Sequence, residues 1–258
     1  MDQQQKIKIA AIIPSRYDSV RFPGKPLAKV GGKSLVQRTY ENAKRSSMID
    51  YLIVATDDQR IFDHVKEFGG NVIMTSSSHL TGSDRLVEVL EKEDKVQNAE
   101  MILNIQGDEP LIEPEVLESV INALQSDKEC VVSTAVIPLH SEELAIDRSI
   151  VKCVFDQNHR AIYFSRALIP HGKNGKLQED TAYYHHLGIY CFRPQFLITY
   201  ASLEPTPLQK AECLEQLKII ENGYKIKVAV VESESIGIDT PEDLKKVEQM
   251  LWKQNTSS

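Results

Sequence analysis

Three short runs in the first half of the chain are almost unbroken in apolar residues: 7–13 (IKIAAII), 51–55 (YLIVA) and 101–105 (MILNI). A strand that is apolar at every position, rather than at alternate ones, needs cover on both faces. That pattern belongs to parallel sheets wrapped by helices. Helical segments lie between the runs. In residues 114–125, Val116, Leu117, Val120, Ile121 and Leu124 share one face, and Pro114 suits a first-turn position. The alternation predicts an α/β fold with a doubly wound, mostly parallel sheet through about residue 130. Further strands are predicted at 71–74, 130–136, 150–155, 161–164, 187–192 and 225–231. Those after residue 130 are joined by short links, so about 130–206 reads as an antiparallel region added to a single domain spanning 1–258. Lids and dimer contacts are often built from such additions. Residues 208–222 predict one helix stopped by Gly223. Thr240, Pro241 and Asp243 mark the start of a last helix carrying Leu244, Val247 and Leu251.

With 258 residues, 41% of them apolar, the chain is long enough to bury a continuous core and too apolar for a disordered one. No apolar run approaches the roughly 20 residues that cross a bilayer, so no membrane partner is expected. The first apolar run leads straight into Pro14, Ser15 and Arg16, which reads as a core strand and not a signal peptide. Cys130, Cys153, Cys191 and Cys213 are widely spaced, which predicts reduced thiols and a cytoplasmic setting. The formal net charge of −7 argues against a nucleic-acid partner. Against that acidic background, the segment 16–33 carries Arg16, Arg21, Lys25, Lys29 and Lys33 with only Asp18 opposing them. A local cationic excess among glycines and prolines points to a small polyanion.

Ligands of doubly wound sheets bind at the carboxyl ends of the strands, which is where this cationic loop begins. Pro14 and Ser15 end the first strand, Gly24 permits close backbone approach, and Arg16 and Lys25 suit phosphate oxygens. The loop matches neither GxGxxG nor GxxxxGK[ST], which argues against a dinucleotide-dependent dehydrogenase and a P-loop ATPase. Gln106-Gly107-Asp108-Glu109-Pro110 follows the strand at 101–105, and Gly237-Ile238-Asp239-Thr240-Pro241 follows the strand at 225–231. Asp108 serves equally well as a turn residue, and Asp239 as a residue at a helix start. As a pair at strand ends, they are the donors that Mg²⁺ prefers, completed by substrate phosphate. His185 and His186 are adjacent on a strand, so they face opposite ways and are not expected to share a metal ion. From pattern alone, His186 and Tyr190 are equally well read as core residues.

In order, the chain shows P-S-R-Y-x-S-x-R-x-P-G-K-P-L, A-T-D-D, T-G-S-D-R-L, Q-G-D-E-P, Y-F-S-R-A-x-I-P, H-L-G-I-Y, L-E-Q-L and G-I-D-T-P. In this it resembles the bacterial CMP-Kdo synthetases, the 3-deoxy-manno-octulosonate cytidylyltransferases, from about residue 7 to 251. The resemblance implies a Rossmann-like sheet of the nucleotide-diphospho-sugar transferase type. It also implies transfer of CMP from CTP to the sugar acid Kdo, with release of pyrophosphate, for lipopolysaccharide inner-core assembly. A cytoplasmic, Mg²⁺-dependent homodimer follows from it as well. By the same resemblance, Arg16 and Lys25 meet the triphosphate, Gln106 lies beside nucleotide and sugar, and Asp108 and Asp239 hold the metal. Arg21, Arg85, His186, Tyr190, Glu215 and Gln216 match positions that line the sugar pocket, and the Arg85 guanidinium suits a fork to the sugar carboxylate. Phe22 stands where the family more often has leucine, and the stretch 169–172 departs from its common versions. The rivals are a related nucleotidyltransferase loading a different sugar acid or sugar phosphate, and a non-catalytic nucleotide-binding module.

Overall fold

The computed structural model describes residues 7–18, 22–79, 82–172, 175–178, 180–232, 238, 240, 242–245 and 247–249. The chain divides into two compact units, one formed by 1–117 with 235–258 and the other by 118–234.

In the first unit, β1 (Ile9–Ser15) is followed by a single 3-10 turn (Lys25–Leu27), the small hairpin of β2 (Lys29–Val30) and β3 (Lys33–Ser34), and α1 (Leu35–Ala43). Then come β4 (Tyr51–Thr56), α2 (Gln59–Glu67), β5 (Val72–Met74), α3 (Gly82–Lys92), α4 (Asp94–Gln97) and β6 (Met101–Asn104). The four long strands lie in the order β6-β1-β4-β5 and all pair in parallel. β1 is paired on both sides, with β6 and β4, and Ile9, Ala10, Ala11, Ile12 and Ile13 are at most 2% exposed. This is the cover on both faces that the unbroken apolar runs require. Each such isoleucine contributes about 1.5–3 kcal/mol by leaving water. Ser34 caps α1 by accepting from the Gln37 N–H, and Asp58 caps α2 by accepting from the Arg60 N–H. At the end of the chain, Thr240 and Asp243 exchange a capping box, while Ile238 and Val247 pack with Val30 and Leu35 in one cluster.

α5 (Pro114–Ser126) carries the chain into the second unit, with Val116, Leu117, Val120, Ile121 and Leu124 all buried as its periodicity requires. That unit holds β7 (Cys130–Pro138), α6 (Glu142–Ile146), β8 (Lys152–Phe155), β9 (Ala161–Ser165) and β10 (Tyr184–Phe192). It continues through α7 (Pro194–Ser202), α8 (Pro207–Glu212), α9 (Leu217–Glu221) and β11 (Lys225–Val230). β11 joins β7 in parallel, while β10 pairs antiparallel with β7 and β8, and β8 with β9. The mostly parallel α/β sheet with antiparallel additions is therefore present.

Two predicted elements differ. β10 starts at Tyr184, three residues early, so both histidines lie inside it. The single helix expected over 208–222 is two helices, because Cys213 takes a left-handed conformation (φ 54°, ψ 47°). The break turns Leu214 and Gln216 inward, at 6% and 5% exposure, a burial the exposed line of an unbroken helix would not give both.

Candidate active site

The first unit brings together the loops that leave the carboxyl ends of β1 and β6, with Ile238 from near the end of the chain beside them. β1 ends at Pro14 and Ser15, with Arg16 half-buried just beyond. The loop then closes on itself: the Gly24 N–H donates to the Tyr17 carbonyl at 2.9 Å, and Gly24 sits at φ 72° against the Tyr17 ring. A Cβ there would lie 3.1 Å from the ring, so geometry and backbone conformation both select glycine. The Tyr17 ring is also covered by the Arg60 guanidinium, 3.3 Å from the ring centroid, which is itself held by both carboxylate oxygens of Asp58. Lys25 leaves this platform and reaches the loop after β6, where its ammonium bonds the Asp108 Oδ2 at 2.5 Å.

The β6 loop is tightly seated. A Cβ on Gly107 would fall 2.8 Å from Ser15 Oγ and 3.0 Å from the Pro14 carbonyl oxygen, so only glycine lets the two strand ends approach. The Asn42 side chain on α1 donates to the Pro110 carbonyl at 2.8 Å and ties the far end of the loop down. Ser15 Oγ is buried and has no hydrogen-bond partner among the described residues, a polar atom at a strand end that a bound ligand would satisfy. Ile238 joins them through the backbone: its N–H donates to the Asp108 carbonyl at 2.9 Å. Asp239 and Arg21 lie outside the described residues.

Mg²⁺ is the metal implied by the sequence, and Asp108 fits it. Its carboxylate is a hard oxygen donor, partly exposed, and already holds a cation in the Lys25 ammonium. Among the described residues no group of three or more His, Cys, Asp or Glu gathers as a metal cluster. Mg²⁺ held by one or two carboxylates and completed by phosphate oxygens requires none.

Arg85 is turned inward. It has no exposed surface; one guanidinium nitrogen bonds the Asp57 Oδ2 at 2.7 Å and another the Thr75 hydroxyl. The fork expected for a sugar carboxylate is thus directed at the β4 and β5 ends, while Arg85 Nε is buried without a partner among the described residues. Asp57 and Thr75 had no assigned role in the sequence. The acid in A-T-D-D, at a strand end, was the available signal.

The second unit gathers the remaining predicted residues around β10. A bulge between Leu187 and Tyr190 interrupts its pairing with β7, and Thr134 fills it, bonding the Leu187 and Ile189 carbonyls. His186 Nε2 lies 2.9 Å from the same hydroxyl, with its ring against Phe164 and Tyr190. Burial, with His185 beside it, pushes the His186 imidazole down to about 3, so it is neutral near pH 7. Burial likewise raises the Tyr190 hydroxyl well above its ordinary value. Gln216 is buried, and Glu215 is exposed with its carbonyl accepting from the Tyr200 hydroxyl at 3.2 Å.

Comparison with known proteins gives a consistent picture. The model of the cytidylyltransferase family matches residues 10–226. The chain is 55% identical over 249 residues to a 3-deoxy-manno-octulosonate cytidylyltransferase of Protochlamydia amoebophila, covering 96% of each. It is 49% identical to the mitochondrial 3-deoxy-manno-octulosonate cytidylyltransferase of Arabidopsis thaliana, covering 97% of this chain and 85% of the plant protein. A solved structure of CMP:2-keto-3-deoxy-manno-octonic acid synthetase complexed with CTP superposes with a TM-score of 0.89 at 38% identity, covering 96% of this chain and 99% of the other.

Proposed function

The chain belongs to the cytidylyltransferase family, and on that premise we propose that it transfers CMP from CTP to 3-deoxy-manno-octulosonate, releasing pyrophosphate and activating the sugar acid for lipopolysaccharide assembly. The observation that carries this reading is the Lys25–Asp108 pair at the ends of β1 and β6: a mobile cation for phosphate beside a carboxylate for a metal.

In the proposed reaction the anomeric hydroxyl attacks the α-phosphorus and pyrophosphate departs. Such a transfer depends on positioning and charge neutralisation, and no protein nucleophile is needed. Arg16 and Lys25 neutralise the β- and γ-phosphates as charge builds on the leaving group. Ser15 Oγ and the backbone around Gly24 receive phosphate oxygens, and Gln106 orients nucleotide and sugar. Asp108 and Asp239 would hold Mg²⁺, which when bound supplies Lewis-acid charge at the α-phosphate and the acceptor hydroxyl. Because His186 is neutral, it meets the sugar as a directional hydrogen-bonding group and not as a cation; Tyr190, Glu215 and Gln216 complete that wall. With Arg85 engaged by Asp57, the sugar carboxylate is assigned to Arg21.

The free thiols of Cys130, Cys153, Cys191 and Cys213 support a cytoplasmic setting. Among the described residues, no helix is long and apolar enough to cross a membrane. Exposed Leu144 and Ile146 on α6 and Ile162 on β9 support a homodimer, which sedimentation would test. The activity itself is tested by pyrophosphate release from CTP with Kdo, with and without Mg²⁺. Release that needs both is the expected result. Release only with another sugar acid would move the assignment to a neighbouring specificity, and CTP binding without turnover would favour a binding module.

A further inference from the structure

Three bonds join residue 212 to the end of β9. The Ser165 hydroxyl donates to Glu212 Oε1 at 2.6 Å, the Arg166 N–H to Oε2 at 2.9 Å, and the Arg166 side-chain Nε to the Glu212 carbonyl at 3.0 Å. Both carboxylate oxygens and the main chain of one residue are thereby fixed to two consecutive residues of another segment. The β9 side is itself held. Lys152, fully buried on β8, spreads its ammonium over the carbonyls of Arg166, Asp147 and Ile150 at 2.7, 2.8 and 2.7 Å, and Arg166 also donates to the Arg148 carbonyl.

Glu212 is the last residue of α8. Immediately after it, Cys213 turns left-handed and directs the chain through Leu214, Glu215 and Gln216 into α9. A left-handed non-glycine residue costs about 1 kcal/mol or more, and persists where its surroundings over-determine it. Here the determinants are the carboxylate clasp on one side and, on the other, the Tyr200 hydroxyl on the Glu215 carbonyl. Both fix the backbone that carries the side chains of Glu215 and Gln216.

We propose that Glu212 is a positioning residue for the sugar-acid site, its clasp on Ser165 and Arg166 setting where Glu215 and Gln216 stand. This rests on the reading that Glu215 and Gln216 meet the sugar. Glu212 lies in the second unit, whereas Arg16, Lys25 and Asp108, which serve the triphosphate, lie in the first, so the two substrates should respond differently.

The test is steady-state kinetics of Glu212→Ala, Glu212→Gln and Ser165→Ala, with CTP binding measured separately by calorimetry. Glu212→Ala is expected to raise KM for Kdo about tenfold or more while the Kd for CTP stays within about twofold. Ser165→Ala removes one of the three bonds and should fall between that variant and the unaltered chain. Glu212→Gln keeps an acceptor for the Arg166 N–H and presents its amide to Ser165, so it should restore most of the loss. Equal losses for both substrates, or no rescue by glutamine, would overturn the proposal in favour of a purely structural role. An unchanged KM for Kdo in Glu212→Ala would overturn it outright. If Glu212→Ala does not fold, Ser165→Ala and Glu212→Gln decide on the same KM split. Failure of the unaltered chain to use Kdo would instead refute the functional reading beneath it.

Discussion

In the first unit an ammonium and a carboxylate, Lys25 and Asp108, meet at 2.5 Å with side chains 14% and 27% exposed; in the second, Gln216 is buried, and a buried, neutral His186 packs on Phe164 and Tyr190 beside Thr134. On the proposed function, the contrast follows from what each would handle. A triphosphate losing pyrophosphate changes its charge distribution during the reaction, so formal charges held in partial solvent serve it and can exchange partners. A sugar acid must be told from its relatives, and uncharged groups such as His186 and Tyr190, held by packing, discriminate by shape and direction. Charge-changing substitutions should therefore act most strongly in the first unit, and shape-changing ones in the second.

The largest expected effect is that of Asp108→Asn. It keeps the size of the side chain and removes the charge that would hold both the metal and Lys25, so turnover should fall by about three orders of magnitude or more with the fold intact. Rates measured at saturating Mg²⁺ check this, and a near-normal value would remove Asp108 from the metal site. Lys25→Met should weaken CTP binding while sparing the KM for Kdo. If both substrates suffer alike, the division between a charged unit and a neutral one is wrong.

Next comes Gly24→Ala, which tests the phosphate loop through shape alone. The added methyl meets the Tyr17 ring at 3.1 Å and a backbone at φ 72° that alanine rarely adopts. Disturbing the Arg60–Tyr17 stack beside Gly24 should raise the KM for CTP by roughly tenfold, and the strained backbone should lower the thermal midpoint by about 2–4 °C. A loss of stability without a change in KM would make the stack a structural feature and not a support for Lys25.

The same contrast governs how much was legible in the sequence. Residues 7–13, 51–55 and 101–105 declared the parallel strands because a strand covered on both faces has no polar positions to obscure its pattern. The charged loops were equally plain, since Arg16, Lys25 and Asp108 stand at predicted strand ends where a solvated or ligand-bound charge is the economical reading. Their pairing was not, because it depends on Gly107 letting two strand ends approach. The second unit was harder. Its helix break at Cys213 comes from a clasp between residues 47 and 46 positions apart, a long-range cause that overrides local helical propensity. The inward turn of Arg85 likewise depends on Asp57, 28 residues away. His186 and Tyr190 gave no local sign that distinguished a pocket wall from a core.

The remaining effect is on stability and not on turnover, and it separates the units by pH. His186 sits near 3 when folded because burial, aided by His185, disfavours its charged form, whereas an unfolded histidine titrates near 6.5. Between those values the unfolded chain binds the extra proton, so the stability this site contributes is complete above about 6.5 and declines as pH falls. Burial lowers His185 in the same direction, with Lys152 adding to it. Glu88 in the first unit behaves otherwise. Burial alone would raise its carboxyl, but Lys92, the Ser76 N–H and His79 bring it down to about 2. Its contribution is therefore intact above about 4.5 and lost only as pH drops below that. Denaturant unfolding from pH 7 to 4 should show His186→Gln flattening the slope between about 6.5 and 4.5, by up to ~1.4 kcal/mol per pH unit for the one proton removed. Glu88→Gln should leave that interval unchanged and flatten the profile only at its acid end. If the two variants altered the same interval, the buried neutral histidine of the second unit would be titrating like the ion-paired carboxylate of the first, and the distinction between the units would not hold.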